Sequence, residues 1–167
     1  MNLYLIGLPG VGKTTVGAAL ADRLQWSLVD LDRQIETVAR TPIAQIFAES
    51  GEAEFRALES QQLRLVAQQR RTVVATGGGV VCSEQNILTM QHSGKLVFLD
   101  DTIDNIRARL GRNQLAKRPI LGSGSAAELI ALAERRRPAY LRADVRLDVS
   151  SMSVLEVVDA IRTALLA

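Results

Sequence analysis

The segment GLPGVGKTT, Gly7 to Thr15, follows the apolar run LYLI and precedes a stretch with helical periodicity. Its spacing, Gly7-x-x-x-x-Gly12-Lys13-Thr14, is a complete phosphate-binding loop in the strand-to-helix setting such a loop requires. Glycines let the backbone turn its N–H groups inward into an anion nest. The groups that would line it belong to Gly10, Val11, Gly12, Lys13, Thr14 and Thr15. The helix N-terminus adds partial positive charge. Lys13 reaches the β- and γ-phosphates, and the Thr14 hydroxyl suits Mg²⁺, which keeps its other positions for water and phosphate oxygens. The implied guest is a nucleoside triphosphate; the alternative is a glycine-rich turn with no ligand. A nucleotide site alone does not define an enzyme, because switches, motors and kinases all use one.

Five short apolar runs read as strands: Leu3–Gly7, Ser27–Asp30, Thr72–Thr76, Lys95–Asp100 and Val145–Val149. Each is nearly continuous in apolar residues, as expected for strands covered on both faces. Between them, Val16, Leu20 and Leu24 share one helical face, and so do Val154, Val157, Val158, Ile161 and Leu165. The alternation predicts an α/β protein with a parallel sheet flanked by helices. Two insertions break it. Residues 33–71 read as two or three short helices, with Pro42 opening one and Gly51 closing it. Residues 111–128 are rich in Gly, Ser, Pro and basic residues, and a loop of that length in a compact domain is usually functional.

The 167 residues suit one domain with a real core. A net charge of +2 gives no ground for a nucleic-acid partner. One cysteine, Cys82, permits no internal disulfide and points to a reducing compartment; its apolar neighbours predict a small buried side chain rather than a catalytic thiol. The single histidine, His92, has no partners for a metal site and reads as a surface or capping residue. No leader precedes the first strand, and no apolar run approaches a membrane span. A cytoplasmic protein without a membrane partner is the expectation.

In open α/β sheets, ligands gather at the carboxyl ends of the strands. Asp30-Leu31-Asp32 follows the second strand there, and Gly77-Gly78-Gly79 follows the third. Two carboxylates can manage Mg²⁺ and hold a hydroxyl group. A glycine triplet allows close backbone approach to a small ligand. Arg56 and one arginine of Arg135-Arg136-Arg137 could grip a ligand carboxylate with paired bonds. Each feature also has a structural reading: the aspartates as helix caps, the glycines as a loose turn, the arginines as a solvated face, Phe47 and Phe55 as core. Together with the loop they favour a kinase for a small anionic polyol.

The segments GLPGVGKTT, DLD, IAQIFAESGEAEFRALE, TGGGVV, KRPIL and RRPAY resemble the shikimate kinase family from the first strand to about Ser150. The resemblance implies a three-layer P-loop kinase fold with strand order 2-3-1-4-5. The core would span about 1–32, 72–110 and 140–167, with a helical substrate-binding insertion at about 33–71 and a lid at about 111–124. It implies transfer of the ATP γ-phosphoryl group to the 3-hydroxyl of shikimate by a monomer using Mg²⁺. Asp32 would hold the attacking hydroxyl, and Arg56 and Arg136 would pair with the shikimate carboxylate. Gly78 and Gly79 would contact ring hydroxyls, Phe47 and Phe55 would wall the pocket, and Glu59 would orient Arg56. Asp30 would support Mg²⁺ beside Thr14, Arg109 in preference to Arg107 would stack on adenine, and Arg118 would close on the phosphates. The loop VSSMS lacks the arginine and proline often set against the base, so base contacts there would run through backbone. The rival readings are a kinase for another hydroxy acid and a non-catalytic nucleotide-binding module.

Overall fold

The computed structural model describes residues 1–110 and 125–166. The five strands are β1 (Asn2–Ile6), β2 (Ser27–Asp30), β3 (Thr72–Ala75), β4 (Gly94–Asp100) and β5 (Val145–Asp148). All pairings are parallel, in the order β2-β3-β1-β4-β5. The helices are α1 (Lys13–Leu24), α2 (Leu31–Ala39), α3 (Ile43–Ala67), α4 (Glu84–Ser93), α5 (Ile103–Arg109), α6 (Ala126–Tyr140) and α7 (Val154–Leu166).

Alternation along β1 builds the two cores. Leu3 and Leu5 face α1 and α7, packing with Val16, Leu20, Val157, Val158 and Ile161. Tyr4 and Ile6 face the opposite layer, where α2 to α6 contribute Leu31, Ile35, Leu63, Met90, Ile106 and Leu129. Successive strand residues point to opposite faces, so a central strand covered on both is mostly apolar. β1 and β3 are buried along their whole length, as expected. The edge strands depart from that expectation: β2 leaves Leu28 41% exposed, and β5 is only half covered. An edge strand has a neighbour on one side only, and the covering helices centre on β1.

The insertion forms α2 and then α3, which is two helices meeting at a kink, so the short helices expected there are found. Pro42 caps the first of these two, and Gly51, at φ 82° and ψ 173°, is non-helical and closes it, as its position in the sequence suggested. A left-handed φ there is open to glycine at little cost, so the chain bends and resumes its helix. Cys82 corrects the sequence reading: it is exposed. It ends a single 3₁₀ turn, Val80–Cys82, in which the two valines take the buried side. His92 is exposed near the end of α4, with Nδ1 2.6 Å from the Leu88 carbonyl oxygen, as a surface residue should be. The segment expected to form a lid, with Arg118, lies outside the described residues. Among the described residues, no helix is long and apolar enough to cross a membrane.

Because all strands are parallel, the carboxyl ends of β2, β3 and β1 lie side by side. The chain therefore sets Asp30, Thr76 and the phosphate-binding loop along one edge of the sheet.

Candidate active site

The loop between β1 and α1 encloses one side of a cavity of about 320 Å³. Gly12 sits at φ 102°, a left-handed conformation that brings the chain into the first turn of α1. Gly10, Gly12, Lys13, Thr14 and Thr15 line the cavity, with Asp30, Asp32, Thr76, Gly78 and Arg109 across from them. Val11 contributes no side chain there; it is buried against the α1 and α7 layer. Lys13 Nζ donates to the carbonyl oxygens of Gly7 and Leu8, each at 2.9 Å. Thr14 Oγ1 donates to Asp30 Oδ2 at 2.7 Å. Asp30 Oδ1 meanwhile accepts from the Arg33 N–H and caps α2. Asp30 thus caps α2 with one carboxylate oxygen and holds the Thr14 hydroxyl with the other.

The glycine triplet sits where other side chains crowd in. A Cβ at Gly77 would lie 2.8 Å from both Asp32 Oδ1 and Glu59 Oε1. One at Gly78 would meet Pro9 at 2.8 Å and Arg136 Nη1 at 3.0 Å, and one at Gly79 would overlap the Arg56 guanidinium. This turn is therefore a packed junction and not a loose connection. α3 delivers Arg56 and Glu59 three residues apart, and Arg56 Nη1 donates to Glu59 Oε2 at 2.7 Å. α6 delivers Arg136 from a buried stripe of Leu129, Leu132, Arg136 and Tyr140, while Arg135 and Arg137 are exposed. Phe55 lies in the core, 4.9 Å from Phe47 between ring centroids, and 5.1 Å from the Arg56 guanidinium carbon. The Phe55 ring lies under the Arg56 guanidinium, and Phe47, Phe55, Arg56, Gly79 and Arg136 all lie outside the lining of the 320 Å³ cavity.

Burial pushes the Glu59 carboxyl above its usual range, against the pull of Arg56; the Asp32 charge adds to the rise and Arg136 opposes it. Burial pulls Arg56 down, but the charge and hydrogen bond of Glu59 outweigh it and leave the guanidinium above its usual value. Arg136 is 5% exposed. Its Nη1 and Glu59 Oε1 are buried with no hydrogen-bond partner among the described residues. Unpaired buried polar atoms are costly and rare in native folds.

The shikimate kinase family model matches residues 9–166. The chain belongs to the shikimate kinase family. It is 43% identical over 161 residues to the shikimate kinase of Parasynechococcus marenigrum (strain WH8102), covering 96% of this chain and 83% of that protein. The structure of shikimate kinase from Acinetobacter baumannii in complex with shikimate matches with a TM-score of 0.94 at 30% identity, over 99% of this chain and 92% of that one. The Aquifex aeolicus shikimate kinase matches at 0.86 and 32%, over 99% and 96%. Members of the shikimate kinase family are ATP-dependent phosphotransferases, and the five-stranded order found here is theirs.

Three features at this shikimate kinase site were not assigned from the sequence. Thr76 lines the cavity and donates to the Leu5 carbonyl oxygen at 2.8 Å. Asp101, with its carboxylate side chain fully buried, accepts from Arg109 Nη1 at 2.6 Å and holds that arginine at the cavity rim. Tyr140 reaches the glycine triplet. The position of Thr76 directly before Gly77 was a signal for the first; the third depends on a contact between segments 62 residues apart.

Proposed function

We propose that the chain transfers the γ-phosphoryl group of ATP to the 3-hydroxyl of shikimate, giving shikimate 3-phosphate and ADP, a step toward chorismate and the aromatic amino acids. The observation that carries this is the junction of two half-sites at one sheet edge. The phosphate loop lies on one side, and Asp32, Arg56 and Arg136 gather around Gly77–Gly79 on the other. The unpaired Nη1 of Arg136 supports a ligand anion at that junction. So does the shikimate held by the Acinetobacter baumannii relative.

Phosphoryl transfer needs positioning and charge neutralisation more than covalent chemistry. The acceptor oxygen bonds to the γ-phosphorus, the bond from that phosphorus to the ADP oxygen breaks, and the hydroxyl proton passes to Asp32. Lys13 turns from the Gly7 and Leu8 carbonyl oxygens to the phosphates, with the N–H groups of residues 10–15 beneath them. Arg56 and Arg136 hold the shikimate carboxylate, and Glu59 fixes the Arg56 fork. Gly78 and Gly79 meet the ring hydroxyls, with Phe47 and Phe55 backing that wall. Arg109 flanks the base, and Arg118 joins the phosphates.

Thr14 and Asp30 fit Mg²⁺. Their donor atoms are hard oxygens, and the hydroxyl hydrogen points to Asp30, which leaves the Thr14 lone pairs available. The ion would supply charge neutralisation at the β- and γ-phosphate oxygens. Both half-sites come from one chain, so we read the working unit as a cytoplasmic monomer; a dimer in sedimentation at working concentration would contradict that.

Arg56→Lys and Arg136→Lys are each expected to weaken shikimate binding by about tenfold or more while ATP binding stays within about twofold, because lysine loses the two-pronged contact with a carboxylate. Arg135→Lys, on the exposed face, should change neither. Equal losses for both ligands would overturn the assignment. Gly79→Ala is expected to displace the Arg56 guanidinium, and a cost of about 1–3 kcal/mol carried into binding predicts a shikimate affinity about five- to 150-fold weaker. Calorimetric titration with shikimate checks it; unchanged affinity would mean Arg56 does not need its present position.

The function itself is tested by turnover with ATP across shikimate, quinate and gluconate. Shikimate should give the highest kcat/KM. A higher value for either of the others, or no turnover with any, would refute the reading.

A further inference from the structure

The acceptor side of the site holds a buried polar group with no role in the chemistry above, the Tyr140 hydroxyl. Tyr140 ends α6, one helical turn beyond Arg136 and on the same buried stripe. Its side chain is 2% exposed, and its ring stacks on Phe98 of β4 at a centroid distance of 4.9 Å and an interplanar angle of 15°. From this fixed ring the hydroxyl donates to the Gly78 carbonyl oxygen at 2.7 Å. Gly78 is also the residue pressed between Pro9 of the phosphate loop and Nη1 of Arg136.

We infer that Tyr140 is a positioning residue for the acceptor: its hydroxyl sets the orientation of the Gly78–Gly79 peptide and the seat of Arg136 beneath the bound polyol. A carbonyl oxygen fixed on one side of a peptide fixes the N–H on the other, because the group is planar. Holding the Gly78 carbonyl therefore aims the Gly79 N–H. The position of Gly78 against Pro9 gives the bond a second consequence, since it sets the spacing between acceptor wall and phosphate loop. Tyr140 takes no proton in the reaction. Burial pushes its phenol up to about 12, against the pull of Arg136, so it stays a hydrogen-bond donor throughout the neutral range.

The inference rests on shikimate being the acceptor, and its test separates the two. Tyr140→Phe keeps the ring and its stack on Phe98 and removes only the hydroxyl. The expected result is a KM for shikimate raised about tenfold, the size of one lost buried hydrogen bond, with KM for ATP within about twofold. The pH dependence of kcat/KM should keep its wild-type shape. Phe98→Leu serves as the packing control: it removes the stack and retains the hydroxyl, so it should lower thermal stability with the ratio of the two KM values near wild type. Wild-type turnover with shikimate, run alongside, establishes the acceptor independently. Tyr140→Phe kinetics equal to wild type, an equal rise in both KM values, or a variant that fails to fold would each assign the hydroxyl no role in placing the acceptor and overturn the proposal. A changed pH profile would overturn it too, in favour of proton transfer.

Discussion

Lys13→Ala is expected to lower kcat by about 10²–10³, the cost of removing one charged donor from a developing phosphoryl transition state. The effect should fall on kcat more than on the KM for shikimate, because Lys13 lines the cavity at the phosphate loop while Arg56 and Arg136 sit at the glycine triplet outside that lining. Lys13 is almost fully buried and donates to two loop carbonyls, so the variant also loses contacts in the unliganded protein. Its thermal midpoint should still move by only a few degrees, because no apolar core contact is removed. Steady-state kinetics with calorimetric unfolding separates the two effects. Turnover within about threefold of wild type would mean that this loop does not serve the transfer.

Asp32→Asn is expected to lower the rate of the chemical step by about 10², the usual size of a lost general base. The amide keeps the shape and can still hydrogen-bond a hydroxyl, so shikimate affinity should change by at most about tenfold. Slow ATP hydrolysis without shikimate should be spared, because water needs no alignment by Asp32. Phosphoryl transfer is largely dissociative in most analyses, so a smaller loss would indicate that Asp32 orients the hydroxyl more than it takes its proton. Rapid-quench single turnovers with both substrates saturating read that step without product release. An unchanged rate would leave Asp32 as a residue of the first turn of α2 and nothing more.

What could be read from the sequence was what lies close together in it. The spacing Gly7 to Thr14 specifies a nest because the contacts are local, and parallel strands carry Asp30 and Gly77 to the same edge whatever their loops do. The choice of Arg136 over Arg135 and Arg137 came from family resemblance; the structure supplies its cause in the stripe shared with Leu129, Leu132 and Tyr140. Cys82 went the other way, since apolar neighbours say little about facing in a three-residue turn. The bond from Tyr140 to Gly78 joins segments 62 residues apart, and no local spacing encodes it.

The most direct test of the account is to follow label from [γ-³²P]ATP in the presence of Mg²⁺ and shikimate. The account predicts label in shikimate 3-phosphate, one equivalent for each ADP formed, with transfer abolished when shikimate is omitted. Label appearing only in inorganic phosphate, at a rate indifferent to shikimate, would contradict it.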